Sequence, residues 1–227
     1  MAGYVQVIQK LRSLKNPKNI EGMARFGINS KNTLGISIYD LRKIAKEIGK
    51  DHQLALKLWD SGIHEARILA GFVDEPEKVT EAQLEKWVKD FDSWDTVDQV
   101  SELIAHTPFA VKKIPEWSRR EEEFVRRTAF SLIAELAWWN KALTDRYFEQ
   151  LFPLIKSASV DERNYVRKSV NWALRNIGKR NKALNRRAIA VAKEIRKIDS
   201  KSARSIAADA LRELTSPVVQ ARLTKKS

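Results

Sequence analysis

At 227 residues with no cysteine, the chain excludes disulfides, thiolate metal sites and a cysteine nucleophile together. Eight glycines and six prolines are few for a protein built of tight turns. The formal charge is +13 and unevenly placed: residues 1–110 carry 15 Lys+Arg against 16 Asp+Glu, whereas residues 111–227 carry 27 against 13. A basic excess confined to one half favours a polyanionic partner, nucleic acid or an anionic membrane surface. The N-terminal stretch 1–16 mixes apolar and charged residues and lacks the unbroken apolar run of a signal peptide. Nothing approaches the ~20 consecutive apolar residues of a membrane span, so a soluble, cytoplasmic protein without a membrane partner is expected. His52, His64 and His106 stand far apart and no metal site is expected, because zinc needs three or four converging ligands.

Apolar residues recur at helical spacing almost throughout. The spacing and its punctuation predict helices near 4–15, 19–27, 38–48, 52–60, 64–73, 81–89, 94–106, 109–117, 121–139, 144–157, 161–178, 182–197 and 201–214. Ser37 is placed to cap the third, and Thr80 with Gln83 forms a capping-box pattern before the sixth. Asn16-Pro17, Ser61-Gly62, Thr107-Pro108 and Gly178 mark stops. No strand-like alternation competes. Paired helices with short links, at a loose spacing of about 35–40 residues per pair, fall in the range of HEAT-type repeats. The expected architecture is an all-α, HEAT-like helical-repeat solenoid, an α-α superhelix with a basic concave face, forming one domain over 1–227. Glycine-rich phosphate loops, G-x-S-x-G elbows, kinase signatures and H-E-x-x-H are absent, which disfavours nucleotide hydrolysis and serine-hydrolase chemistry.

Three helices carry chemistry. Along 161–178, Val166, Val170, Ala173, Leu174 and Ile177 gather on one side, while Asn164, Lys168, Trp172, Arg175 and Lys179 gather opposite. A tryptophan in a cationic row suits a sugar-phosphate backbone, the ring on deoxyribose and the cations on phosphates; the structural alternative is that another helix covers it. The helix at 121–139 repeats the pattern, with Val125, Ala129, Leu132 and Leu136 inward and Arg127, Ser131, Ala134 and Trp138 outward. On the helix at 94–106, Trp94 and Asp98 are one turn apart on one face, with Val97, Val100 and Ile104 on the buried side. Asp95 and Asp98, about 60° apart around the axis, could also be a first-turn pair answering the helix dipole. A carboxylate beside an aromatic, facing a basic wall, is poorly explained by phosphate binding and better explained by a developing positive charge.

These stretches resemble the AlkD-type alkylpurine DNA glycosylases. The resemblance rests on Ser-Trp-Asp-Thr-Val-Asp at 93–98, Phe-Val-Arg-Arg-Thr-Ala at 124–129 and Val-Arg-Lys-Ser-Val-Asn-Trp-Ala-Leu-Arg at 166–175. Met-Ala-Arg-Phe at 23–26 followed by Leu-Gly-Ile at 34–36 extends it to the N-terminus, in the right order over most of the chain. It implies a HEAT-like superhelix that binds DNA on its concave face. It makes Trp94 and Trp172 active-site tryptophans, Asp98 the catalytic carboxylate and Arg127 a DNA contact. Phe26 stands where the best-known members have tyrosine, and Ser93 where they have a second tryptophan.

The implied reaction hydrolyses the N-glycosidic bond of 3-methyladenine or 7-methylguanine in duplex DNA. The purine's positive charge weakens that bond; Asp98 would stabilise the oxocarbenium-like sugar and hold the attacking water, with no metal or cofactor. Trp94 and Trp172 would flank the lesion's deoxyribose. Arg127, Lys168, Arg175 and Lys179, with Trp138 and Phe26, would complete the DNA contacts. Nothing in the sequence suggests a deep nucleobase pocket. Monomeric action is the default expectation. The alternatives are a non-catalytic HEAT-repeat protein that binds damaged or branched DNA, and a scaffold for an acidic protein.

Overall fold

The computed structural model describes residues 3–225, and among them every regular element is a helix. The chain groups into two compact units, Met1–Phe109 and Ala110–Ser227. Because Ala110 is uncharged, this boundary is also the boundary between the balanced and the basic halves of the sequence.

The first unit contains α1 (Tyr4–Ser13), α2 (Pro17–Arg25), α3 (Ile38–Ile48), α4 (His52–Asp60), α5 (His64–Val73), α6 (Glu81–Lys89) and α7 (Trp94–Ala105). Helix α5 is its core, buried nearly all round and packed on α3, α4 and α7. Gly71 permits that packing, since a Cβ there would lie 3.2 Å from Val100 Cγ2 of α7. Trp59 of α4 and Trp87 of α6 stack at 4.0 Å between ring centroids, both fully buried. The expected caps form: Ser37 accepts from the Asp40 amide at 3.2 Å and Thr80 from the Gln83 amide at 3.1 Å. The capping box at Thr80 is half made, because Gln83 turns away to donate to buried Asp74 at 2.7 Å.

The second unit contains α8 (Ala110–Trp117), α9 (Glu123–Trp139), α10 (Asp145–Glu149), α11 (Phe152–Ala158), α12 (Asn164–Gly178), α13 (Lys182–Arg196), α14 (Lys201–Leu214) and α15 (Pro217–Lys225). Helix α12 is its centre, packing on α9, α11, α13 and α14. The stripe Val166, Val170, Ala173, Leu174 and Ile177 is fully buried as its periodicity predicts, each residue contributing about 1–3 kcal/mol of burial. Gly178 does not end α12 through a left-handed turn; a Cβ there would press on Leu214 of α14 and Ala188 of α13. Close packing, then, is what requires this glycine.

Two segments differ from expectation. The single helix predicted at 144–157 is two, α10 and α11, separated at Gln150–Leu151 with Pro153 at the start of α11; Pro lacks the N–H an uninterrupted helix would need there. Helix α15 went unpredicted although Ser216 and Pro217 are ordinary start signals. Its amphipathic stripe is only two residues, Val219 and Leu223, too short for periodicity to register. No helix among the described residues is long and apolar enough to cross a membrane.

Candidate functional site

In the first unit the N-terminal turn of α7 is held from three directions. Trp94 is half-buried, and its indole N–H donates to the Phe26 carbonyl at the end of α2 at 3.0 Å. Ser93 is fully buried at the N-cap, yet its hydroxyl accepts from the Asn29 amide at 2.7 Å instead of from its own helix. Asn29 also donates to Asp92 at 2.7 Å. Asp98 lies one turn below Trp94, half-buried, while Val97, Val100 and Ile104 are buried as expected. Phe26 itself is 76% exposed, so its ring is open to a partner while its carbonyl fixes Trp94.

The two aspartates at the start of α7 part company. Asp95 Oδ2 lies 2.8 Å from His64 Nε2, and His64 is almost wholly buried. Burial by itself would pull the imidazole's pKa down; the hydrogen bond to Asp95, with the charges of Asp95, Glu65 and Asp92, outweighs it and raises the pKa above its ordinary 6.5. Neighbouring Glu65 is fully buried and accepts the backbone N–H groups of Leu34 (2.8 Å), Gly35 (2.6 Å) and Ile36 (3.3 Å). Gly35 has φ +80°, and a side chain there would collide with the Asn16 carbonyl. The Leu-Gly-Ile stretch is thus a pinned turn, which brings α2 to α7. Between them runs a cleft of about 740 Å³, with Phe26, Trp94, Asp95 and Ser37 among its lining residues. No local pattern in the sequence signals this cleft, because its walls come from separate helices.

In the second unit the expected basic front is partly closed. On α9, Arg127, Ser131 and Ala134 are buried rather than outward. The Arg127 guanidinium donates to the Tyr165 carbonyl of α12 at 2.7 Å, and Asn176 of α12 reaches the Ala134 carbonyl at 3.3 Å. Helix α9 is sandwiched by α8 and α12, so a one-sided helical wheel underestimates its burial. Trp138, at the end of the same row, is 59% exposed.

On α12, Lys168 is exposed and Trp172 half-buried. Arg175 and Lys179 are not open cations: both pair with Glu213 of α14, Lys179 at 2.7 Å, and Arg175 also approaches Asp209 at 3.7 Å. The sequence reading of a row free to meet phosphates is corrected to that extent. Two cations on one carboxylate still leave net positive charge, and they hold Glu213 ionised against its burial. Lys168 and Arg175 line a groove of about 570 Å³ with Arg167 and Arg212, where Asp209 is the acidic residue.

His64, Asn29 and the hydroxyl of Ser93 were missed from sequence. Their partners lie 31 to 64 residues away, and no local spacing encodes them.

The model of the DNA alkylation repair enzyme family matches residues 7–214, and the chain belongs to that family. Two uncharacterized Listeria proteins are similar over 203 residues, 87% of this chain and 88% of theirs. Lin0241 of Listeria innocua serovar 6a is 26% identical, and Lmo0209 of Listeria monocytogenes serovar 1/2a is 25% identical. A solved structure, described as a new family of proteins related to the HEAT-like repeat DNA glycosylases with affinity for branched DNA structures, shares the fold. Its TM-score is 0.81 at 17% identity, covering 98% of this chain and 96% of that one.

Proposed function

We propose that this protein is an alkylpurine DNA glycosylase that releases positively charged 3-methyladenine and 7-methylguanine from duplex DNA. The observation that carries the reading is the first turn of α7. Trp94 is fixed through its own N–H by the Phe26 carbonyl, and Asp98 sits one turn along the same helix, also half-exposed. A carboxylate held on a rigid helix needs no reorganisation when positive charge develops on the sugar, which is the condition for electrostatic catalysis. Asp98 stabilises that sugar and positions the water that attacks its anomeric carbon; the bond to the cationic purine breaks with its electron pair going to the purine, which departs as a neutral base. The added water loses one proton to solvent to leave the sugar hydroxyl. Trp94 presents a ring face to deoxyribose C–H groups, and Trp172 is taken as a further aromatic contact with the DNA.

Lys168 and the Arg167–Arg212 groove supply sequence-independent affinity for phosphates, with Arg175 and Lys179 as shared-charge contributors. Arg127, buried and bonded to Tyr165, fits a role in shaping that surface as well as touching DNA. Phe26 offers an apolar ring to the lesion. In this reading the protein is a cytoplasmic monomer without metal or cofactor.

A second reading keeps the DNA surface and drops the chemistry. It is favoured by the similarity to proteins described as having affinity for branched DNA, and by Ser93, which a tryptophan could not replace without losing the Asn29 bond. The deciding test is release of methylpurines from methylated duplex DNA, measured by chromatography, for wild type beside Asp98→Asn. Release by wild type alone supports the glycosylase. DNA binding with no release by either protein makes the non-catalytic reading the better one.

A further inference from the structure

Of the seven tryptophans, Trp138 alone is exposed, at the C-terminal end of α9. It does not stand alone. A small pocket of about 120 Å³ opens beside it, lined by Ala137, Trp138, Lys141, Asn176, Lys179, Arg180 and Arg222. That is room for about four water molecules, or one phosphate group, and too little for a nucleotide. Among the described residues lining it there are four cations and no carboxylate. Glu213 is bonded to Lys179, and Asp145 acts on Arg180 through space.

The cations are organised. Arg180 donates to the carbonyls of Ala137 (3.2 Å) and Leu143 (2.8 Å), and Lys141 to that of Trp138 (2.9 Å), so neutral oxygens hold them in place without cancelling their charge. Burial lowers the pKa of Arg180 more than Asp145 raises it, as befits a guanidinium short of a matching anion. Arg222 comes from α15, beyond the last residue of the family match. Its guanidinium carbon lies 5.4 Å from the Trp138 ring centroid. Helix α15 is anchored by buried Val219 and Leu223 and by Gln220, which donates to the Leu214 carbonyl at 2.6 Å and to Asn185 at 3.1 Å. Arg222 is therefore presented on a fixed element.

We propose that Trp138 and this pocket form a site for one unpaired nucleotide of a DNA strand, the base stacked on the open tryptophan and its phosphate seated among Lys141, Arg180 and Arg222. It rests on the DNA-binding part of the functional reading and not on base release. Inside a duplex a paired base keeps both faces in the stack, so away from the duplex ends a base that stacks on this ring is an unpaired one. An acidic peptide would answer the cations yet leave the tryptophan uncovered. The site thus recognises the single-stranded part of a tailed, gapped or branched duplex.

The test compares unmethylated blunt duplex with the same duplex carrying a single-stranded tail of about six nucleotides. Wild type should bind the tailed DNA about tenfold more tightly, the scale of one stacked base. That ratio should fall close to one in Trp138→Ala, survive largely in Trp138→Phe, and shrink in Lys141→Ala with Arg222→Ala. A tail of abasic units, which keeps the phosphates and loses the bases, should bind more weakly than the normal tail and lose its dependence on Trp138. Equal wild-type affinity for both DNAs, or an undiminished ratio in Trp138→Ala, overturns the site. Failure to bind blunt duplex at all is a different result: it defeats the DNA-binding reading itself, which the methylpurine-release assay probes separately.

Discussion

The two halves of the chain solve different electrostatic problems. Residues 1–109 are nearly neutral and place carboxylates in confined positions: Glu65 fully buried on three backbone amides, Asp95 against His64, and Asp98 below Trp94. Residues 110–227 hold the positive excess and spread it over α12, α14 and the α9–α15 corner, partly answered by Glu213 and Asp209. The confined carboxylates thus sit in the balanced half, while Glu213 and Asp209 of the basic half share their charge with the cations around them. One half fixes its carboxylates with specific partners, and the other carries a positive charge larger than its own carboxylates can answer.

The sharpest way to break this division is Asp98→Asn. Base release should fall by about a hundredfold to a thousandfold, while affinity for duplex DNA stays the same or rises because a negative charge has gone. A large loss of affinity would instead make Asp98 a structural residue.

Glu65→Ala comes next. It strands three backbone N–H groups of the Leu34–Ile36 turn, and thermal or urea unfolding should show a loss of about 3 kcal/mol. Glu65→Gln, which keeps an acceptor, should lose less. Equal losses would mean that bulk rather than hydrogen bonding fills the site.

The His64–Asp95 pair gives a smaller, pH-dependent effect. Because the folded pKa of His64 lies above 6.5, its stabilisation is complete below that pH and disappears as pH rises through the folded value. The stability advantage of wild type over His64→Gln should accordingly shrink between pH 6 and pH 9, a range set at roughly the imidazole's titration. An advantage that grows with pH would contradict the charge assignment.

Smallest is the contrast within α12. Lys168→Ala should weaken binding to every duplex and reduce the salt-dependence slope by about one. Arg175→Ala should change that slope less, since its charge is already shared with Glu213. Equal slopes would show that Glu213 releases Arg175 when DNA arrives.

Much of this was legible because helices are local. The stripe on α12, the inward Val97, Val100 and Ile104 of α7, and the Ser37 and Thr80 caps all depend on residues within a few positions of one another. The pairing of Trp94 with Asp98 on one face follows from the helical repeat alone, and the family resemblance was carried by the same short stretches. The sequence misjudged α9 because a periodic pattern identifies one buried face and is silent on whether a second helix covers the other.

By itself the sequence determined that the chain is helical, that its positive charge lies in the second half, and which turn of α7 carries an aromatic and a carboxylate together. Only the tertiary structure decided which charges are already spent. Lys179 and Glu213 are 34 residues apart, His64 and Asp95 are 31, and Trp138 meets Arg222 from a helix at the far end of the chain. The physical reason is range: a helix is fixed by hydrogen bonds four residues long, whereas an ion pair or a stacked cation exists only after distant helices have packed.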